Sequence, residues 1–123
     1  MPISDFTFRS QIFFARESGV ISAEDARRWA EKLAECARWS HTPIVALVDA
    51  LDVTRIEFPA VEILSKASFT ENVMAVVVAS NGSAELTSKN IGLLGKRNQT
   101  LIFPTLEEAR SRAESLLRAQ AKR

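Results

Sequence analysis

Two stretches of this chain contain no polar side chain. Ile44-Val45-Ala46-Leu47-Val48 follows Pro43, and Val73-Met74-Ala75-Val76-Val77-Val78 precedes the loop-forming Ser80-Asn81-Gly82-Ser83. Apolar runs this short, bounded by turn formers and rich in β-branched residues, read as strands covered on both faces. Strands of that kind need helices above and below the sheet, so the rest of the sequence must supply them.

The helix signals lie where such a fold needs them. Ser22 reads as an N-cap with Asp25 three residues on, opening a helix from Ala23 to about Trp39. An Asp complements the positive helix end there, although the full capping box prefers Glu or Gln. Ala26, Trp29, Ala30, Leu33, Cys36 and Ala37 form the inner stripe, while Arg27, Arg28, Glu31, Lys32 and Glu35 fall mostly on the other side. Pro59 suits the first position of a second helix, reaching about Ala67 with Val61, Leu64 and Ala67 inward. Residues 84–94 read as a third helix ended by Gly95. Thr100 to Phe103 reads as a last short strand. Thr105 with Glu108 then caps a final helix through Leu117, with Leu106, Ala109, Ala113, Leu116 and Leu117 inside.

At the N-terminus, Phe6, Phe8, Ile12 and Phe14 share one parity, which predicts one or two strands between Asp5 and Arg16, closed by a turn at Ser18-Gly19. Alternating strands and helices imply an α/β fold with right-handed crossovers. The expectation is one domain over residues 1–123, with a largely parallel sheet of four to five strands, an antiparallel N-terminal edge and about four helices. A chain of this length hides roughly two-thirds of its unfolded surface, enough for one core without disulfides.

The segment IVALVDALDVTRIEFPAVEIL, residues 44–64, resembles the STAS family, the domains shared by sulphate transporters and bacterial anti-sigma-factor antagonists. Family members carry an apolar strand ending in Asp, a short loop, Asp-Ser-Ser-Gly or a relative, and then an apolar helix. Asp49 matches the strand-end Asp, and Val53-Thr54-Arg55-Ile56 resembles the segment leading to the motif. Gly19-Val20-Ile21-Ser22 is similar to the approach to the family's first helix, and residues 103–109 to its closing strand and helix start. The resemblance implies a STAS-like single domain that is non-enzymatic and regulatory. It implies a protein partner, an anti-sigma factor or a related regulator, with self-association through a sheet edge or helix face as a further option.

The departure from the family lies in the motif. Glu57, Phe58, Pro59 and Ala60 stand where Asp, two hydroxyl residues and Gly are expected. Phosphorylation there works by adding about −1.5 to −2 charge to the contact surface, and no acceptor remains at the family position. A constitutive adaptor that offers Arg55, Glu57, Phe58, Pro59 and Glu62 to its partner fits these residues. Phe58-Pro59 has two readings: a hydrophobic staple against the core, or an exposed anchor with Arg55 and Glu57 as polar rim. The alternative function is binding of a small apolar or anionic, lipid-like ligand, with Phe58, Phe69, Ile91 and Leu94 lining the pocket.

Other chemistries find little in the sequence. A net charge of +1 gives no electrostatic basis for nucleic-acid binding. No run of about 18 apolar residues is present to insert in a bilayer. MPISDFTFRS has no signal-peptide pattern and Cys36 is a lone cysteine, so the expected home is the cytoplasm. One His and one Cys do not suggest a metal site, and no cofactor motif is present. Cys36 reads as core, and His41 as a loop residue placed to cap the first helix. Asp49 and Asp52 read as turn residues rather than as a catalytic pair. No catalytic residue is assigned. Trp29 is expected inside, and for Trp39 both a buried and an exposed position stay open.

Overall fold

The computed structural model, which describes residues 3–80 and 99–121, sets the two apolar runs side by side within one five-stranded sheet. In chain order the elements are β1 (Ile3–Arg9), β2 (Ile12–Ile21), α1 (Ala23–Trp39), β3 (Ile44–Ile56), α2 (Phe58–Ala67), β4 (Val73–Ala79), β5 (Gln99–Phe103) and α3 (Leu106–Ala121). The strands lie in the order β1-β2-β3-β4-β5, with β1 antiparallel to β2 and every other pair parallel. The α/β class and the antiparallel N-terminal edge are as the sequence predicts. The helix expected over residues 84–94 lies outside the described residues.

Each face of the sheet has its own core. Phe13, Ala15, Ala46, Val48, Val76 and Val78 pack with Trp29, Leu33, Ala37 and Ala60 under α1 and α2. Val45, Leu47, Val77 and Ala79 pack with Ala109 and Ala113 of α3 on the other side, joined by Leu106, Leu116 and Leu117. Burial of a side chain such as Leu33 or Leu47 stabilises by roughly 1.5–3 kcal/mol. That is why the unbroken apolar runs in β3 and β4 dictate this layering.

The caps follow the sequence closely. Asp25 N–H donates to Ser22 Oγ at 3.2 Å, and the Asp25 carboxylate accepts from Ser22 N–H at 3.0 Å and from its hydroxyl at 2.8 Å. The box is thus complete with Asp in place of Glu. At α3, Glu108 N–H donates to Thr105 Oγ1 at 3.1 Å.

Three local expectations are corrected. Two strands form and not one, joined by a turn at Ser10-Gln11, both at positive φ (50° and 67°), which the sequence did not mark. Gln11 is held there by side-chain bonds to Thr42 Oγ1 and to Pro43 O. No turn at Ser18-Gly19 closes the strand: β2 runs on to Ile21, and Gly19 (φ 65°) sits between two register shifts in its pairing with β3. Glycine fits there because that φ is strained for any residue with a Cβ. Finally, β3 does not stop near Asp49. It continues to Ile56, so Asp49 and Asp52 are strand residues, and the Asx-type bond from Leu51 N–H to Asp49 Oδ1 (3.2 Å) lies within the strand.

Candidate functional site

Pairing between β3 and β4 ends at Asp49 and Ala79, whereas pairing between β2 and β3 continues to Ile21 and Ile56. Residues 50–56 therefore carry a β2–β3 ribbon about 20 Å beyond the last β3–β4 pair, at roughly 3.3 Å per residue. The ribbon delivers the chain directly to α2. Glu57 is the N-cap, its side chain makes no capping bond, and its N–H donates to Ile21 O at 2.9 Å. This one bond fixes the start of α2 to the end of β2.

Phe58 and Pro59 occupy the first turn of α2. Ala60 and Ala67 are buried beneath the helix, with Val61 and Leu64 half-buried. Phe58, by contrast, is 76% exposed, so it neither staples the helix nor lids the core. Pro59 and Glu62 are exposed as well, and Glu62, four residues from Phe58 and three from Pro59, neighbours both on the helix surface. Arg55 is exposed on β3 opposite Val20, itself an exposed apolar residue. Glu57 is half-buried. All five residues singled out in the sequence thus belong to one short segment. Val20 escaped notice because Gly19 made its surroundings look like a turn.

The ligand-pocket residues do not come together in this way. Phe69 follows the C-terminal end of α2, about 15 Å of helix from Phe58, and is 43% exposed. Ile91 and Leu94 lie outside the described residues. A cleft of about 520 Å³ does open near the C-terminus of α1, lined by Ala34, Arg38, Ser40, His41, Thr70 and Asn72 among others, and it contains neither Phe58 nor Phe69.

Other titratable groups have structural partners. Arg16 lies between Asp5 (3.5 Å) and Asp49 (3.3 Å), so Asp49 serves an ion pair and not a carboxylate dyad with the exposed Asp52. Cys36 is half-buried against the core. Burial and the Glu35 carboxylate push its thiol up, with Lys32 opposing, which disfavours the nucleophilic thiolate. The α1 C-terminus is capped by Asn72, not His41. Its side-chain Nδ2 donates to the carbonyls of Ala37, Ser40 and Thr42 at 2.9–3.1 Å. Asn72 has φ 72°, a conformation Asn tolerates better than most residues. An Asn just before an apolar strand was the available signal. Among the described residues, no three metal-ligating side chains cluster, and no helix is long and apolar enough to cross a membrane.

One buried acid was not anticipated. Glu17 is only 3% exposed, on the face of β2 under α1. Burial pushes its carboxyl up to about 7, and the neighbouring Asp25 adds to the shift.

No protein-family model matches the chain, and no curated protein sequence matches it. A solved structure does. An uncharacterized protein of the DUF3478 family, with a SpoIIAA-like fold, from Shewanella loihica PV-4, aligns over 90% of this chain and 93% of its own. The TM-score is 0.65 and the identity 17%. At that identity the likeness speaks for architecture alone, and the architecture of this chain is SpoIIAA-like, that is, STAS-like.

Proposed function

We propose that this chain is a non-enzymatic regulatory domain that presents residues 55–62 to a protein partner. The observation that carries the reading is the exposure of Phe58 on the first turn of a helix whose base is fixed to the sheet. A rigidly mounted aromatic loses little conformational freedom when it is covered, so it serves well as a contact anchor. Val20 and Pro59 add apolar surface, while Arg55 and Glu62 supply charged edges suited to fixing the register of a partner.

The STAS-like architecture supports a partner of the anti-sigma-factor type or a related cytoplasmic regulator. Because Glu57-Phe58-Pro59-Ala60 offers no hydroxyl, the proposed contact is constitutive and not switched by phosphate at this position. The reading is tested by native mass spectrometry of the tagged chain, purified gently from its own cells, alongside Phe58→Asp. The expected result is a defined second polypeptide that co-purifies with the wild type and is lost in the variant, with Tm unchanged. Retention of the complex by the variant would remove Phe58 from the contact. A large fall in Tm would show that Phe58 is structural.

A further inference from the structure

Glu17 occupies a place where a carboxylate is unfavourable. It lies on the core side of β2, opposite Ile3 of β1, and among the described residues it has no basic partner. The residues of β3 on the same face, Val48 and Ala50, are apolar and buried. From α1 the charged group that faces it is Asp25, another acid, already engaged in the capping box. Arg28 lies beyond Asp25, 4.0 Å from its Oδ1, and Lys32 extends over the Phe6 ring. Asp5, Arg16 and Asp49 form a separate cluster, with Arg16 and Asp49 on the opposite face of the sheet. Packed against α1, α2 contributes Glu57 at its start, also acidic.

The strand carrying Glu17 is irregular on both sides of it. Its pairing with β1 shifts register between Ser4 and Thr7, and its pairing with β3 shifts between Arg16 and Ser18 and again between Gly19 and Val20. Two residues beyond the last shift, Ile21 O holds Glu57 N–H and Ser22 opens α1. A proton on Glu17 removes a buried charge beside Asp25. Its loss places two carboxylates together under the first turn of α1, where desolvation and repulsion act in the same direction.

We infer that Glu17, Asp25 and the irregularly paired end of β2 form a proton-operated clasp, in which ionisation of Glu17 loosens the first turn of α1 and, through Ile21, the anchor of α2. The clasp gives the fold a pH-dependent device at the end that carries Phe58. It does not depend on what residues 55–62 bind.

The test is amide hydrogen exchange by NMR between pH 5 and 8.5, with rates expressed as protection factors to remove the intrinsic pH dependence. In the wild type, the amides of Ser22, Asp25 and Glu57 should lose about tenfold or more of their protection as Glu17 ionises, while Leu47 and Val77 in the central strands do not. In Glu17→Gln, protection of the same amides should hold across the range. His41, the one histidine, lies at the opposite end of the strands from these amides. A ¹³C titration of the Glu17 carboxyl in the wild type gives a second measurement that needs no variant, and its midpoint should coincide with the amide changes. Unchanged protection, an equal loss in Glu17→Gln, or a Glu17 midpoint in the ordinary carboxylate range would each overturn the inference.

Discussion

The two ends of the parallel strands are built on opposite principles. Where β2, β3 and β4 begin, amide side chains tie the loops together: Gln11 bonds to Thr42 and Pro43, and Asn72 spans the end of α1 and the turn after it. Where the strands finish, β3 is bulged against β2 and outruns β4, Glu17 is buried with no basic partner among the described residues, and Phe58 stands in solvent. The first end satisfies its polar groups and places ordinary demands on stability. The second departs from the usual rules of burial at several neighbouring positions, a pattern expected where a site other than the core has shaped the sequence. Ligands and partners of open α/β sheets also favour the carboxyl ends of the strands.

The largest way to break this contrast is through Glu17. Its folded-state pKa is raised above the unfolded value, so its contribution to stability is fully present below about 4.5 and is lost as pH rises to about 7. That interval corresponds to roughly 3 kcal/mol. Urea unfolding should show the wild type weakening from pH 5 to pH 8. Glu17→Gln should lie close to the wild type at pH 5 and above it at pH 8. Parallel curves for the two proteins would place the titration elsewhere.

Asn72 probes the tied end. Asn72→Ala removes a donor to three carbonyls and forces a Cβ without side-chain support into left-handed backbone, so a loss of about 2–3 kcal/mol is expected in denaturant melts. Asn72→Gly keeps the backbone permissive and should recover part of that loss, which separates strain from hydrogen bonding. Ser22→Ala, at the other end, should cost about 1 kcal/mol by removing the cap of α1. The smallest effect belongs to Phe58→Asp, which should change stability by less than about 0.5 kcal/mol, since almost nothing covers that side chain.

The sequence revealed what depends on local pattern. The apolar runs in β3 and β4 located the doubly covered strands, and Ser22 with Asp25 and Thr105 with Glu108 located helix starts, because a cap is written within four residues. Hidden features depend on distant partners. The turn at Ser10-Gln11 contains no glycine and is held by Thr42 and Pro43, more than 30 positions away. Gly19 signalled a turn, but the continuing pair with β3 made it a strand residue opposite a bulge. Asp49 looked like the end of a strand until Arg16 and the β2 register carried β3 onward. Of the site, the segment 55–62 was legible as a departure from a family motif. Its exposure was not, since Phe58 on a helix start fits a staple as well as an anchor.

The most direct test of the central claim compares hydrogen exchange of the free chain and of the complex recovered from its own cells. Added protection in residues 55–62 and around Val20, with none at Trp39–Thr42 or Phe69–Asn72, is the result this account predicts. Protection confined to the tied end would contradict it and move the contact surface to the opposite side of the molecule.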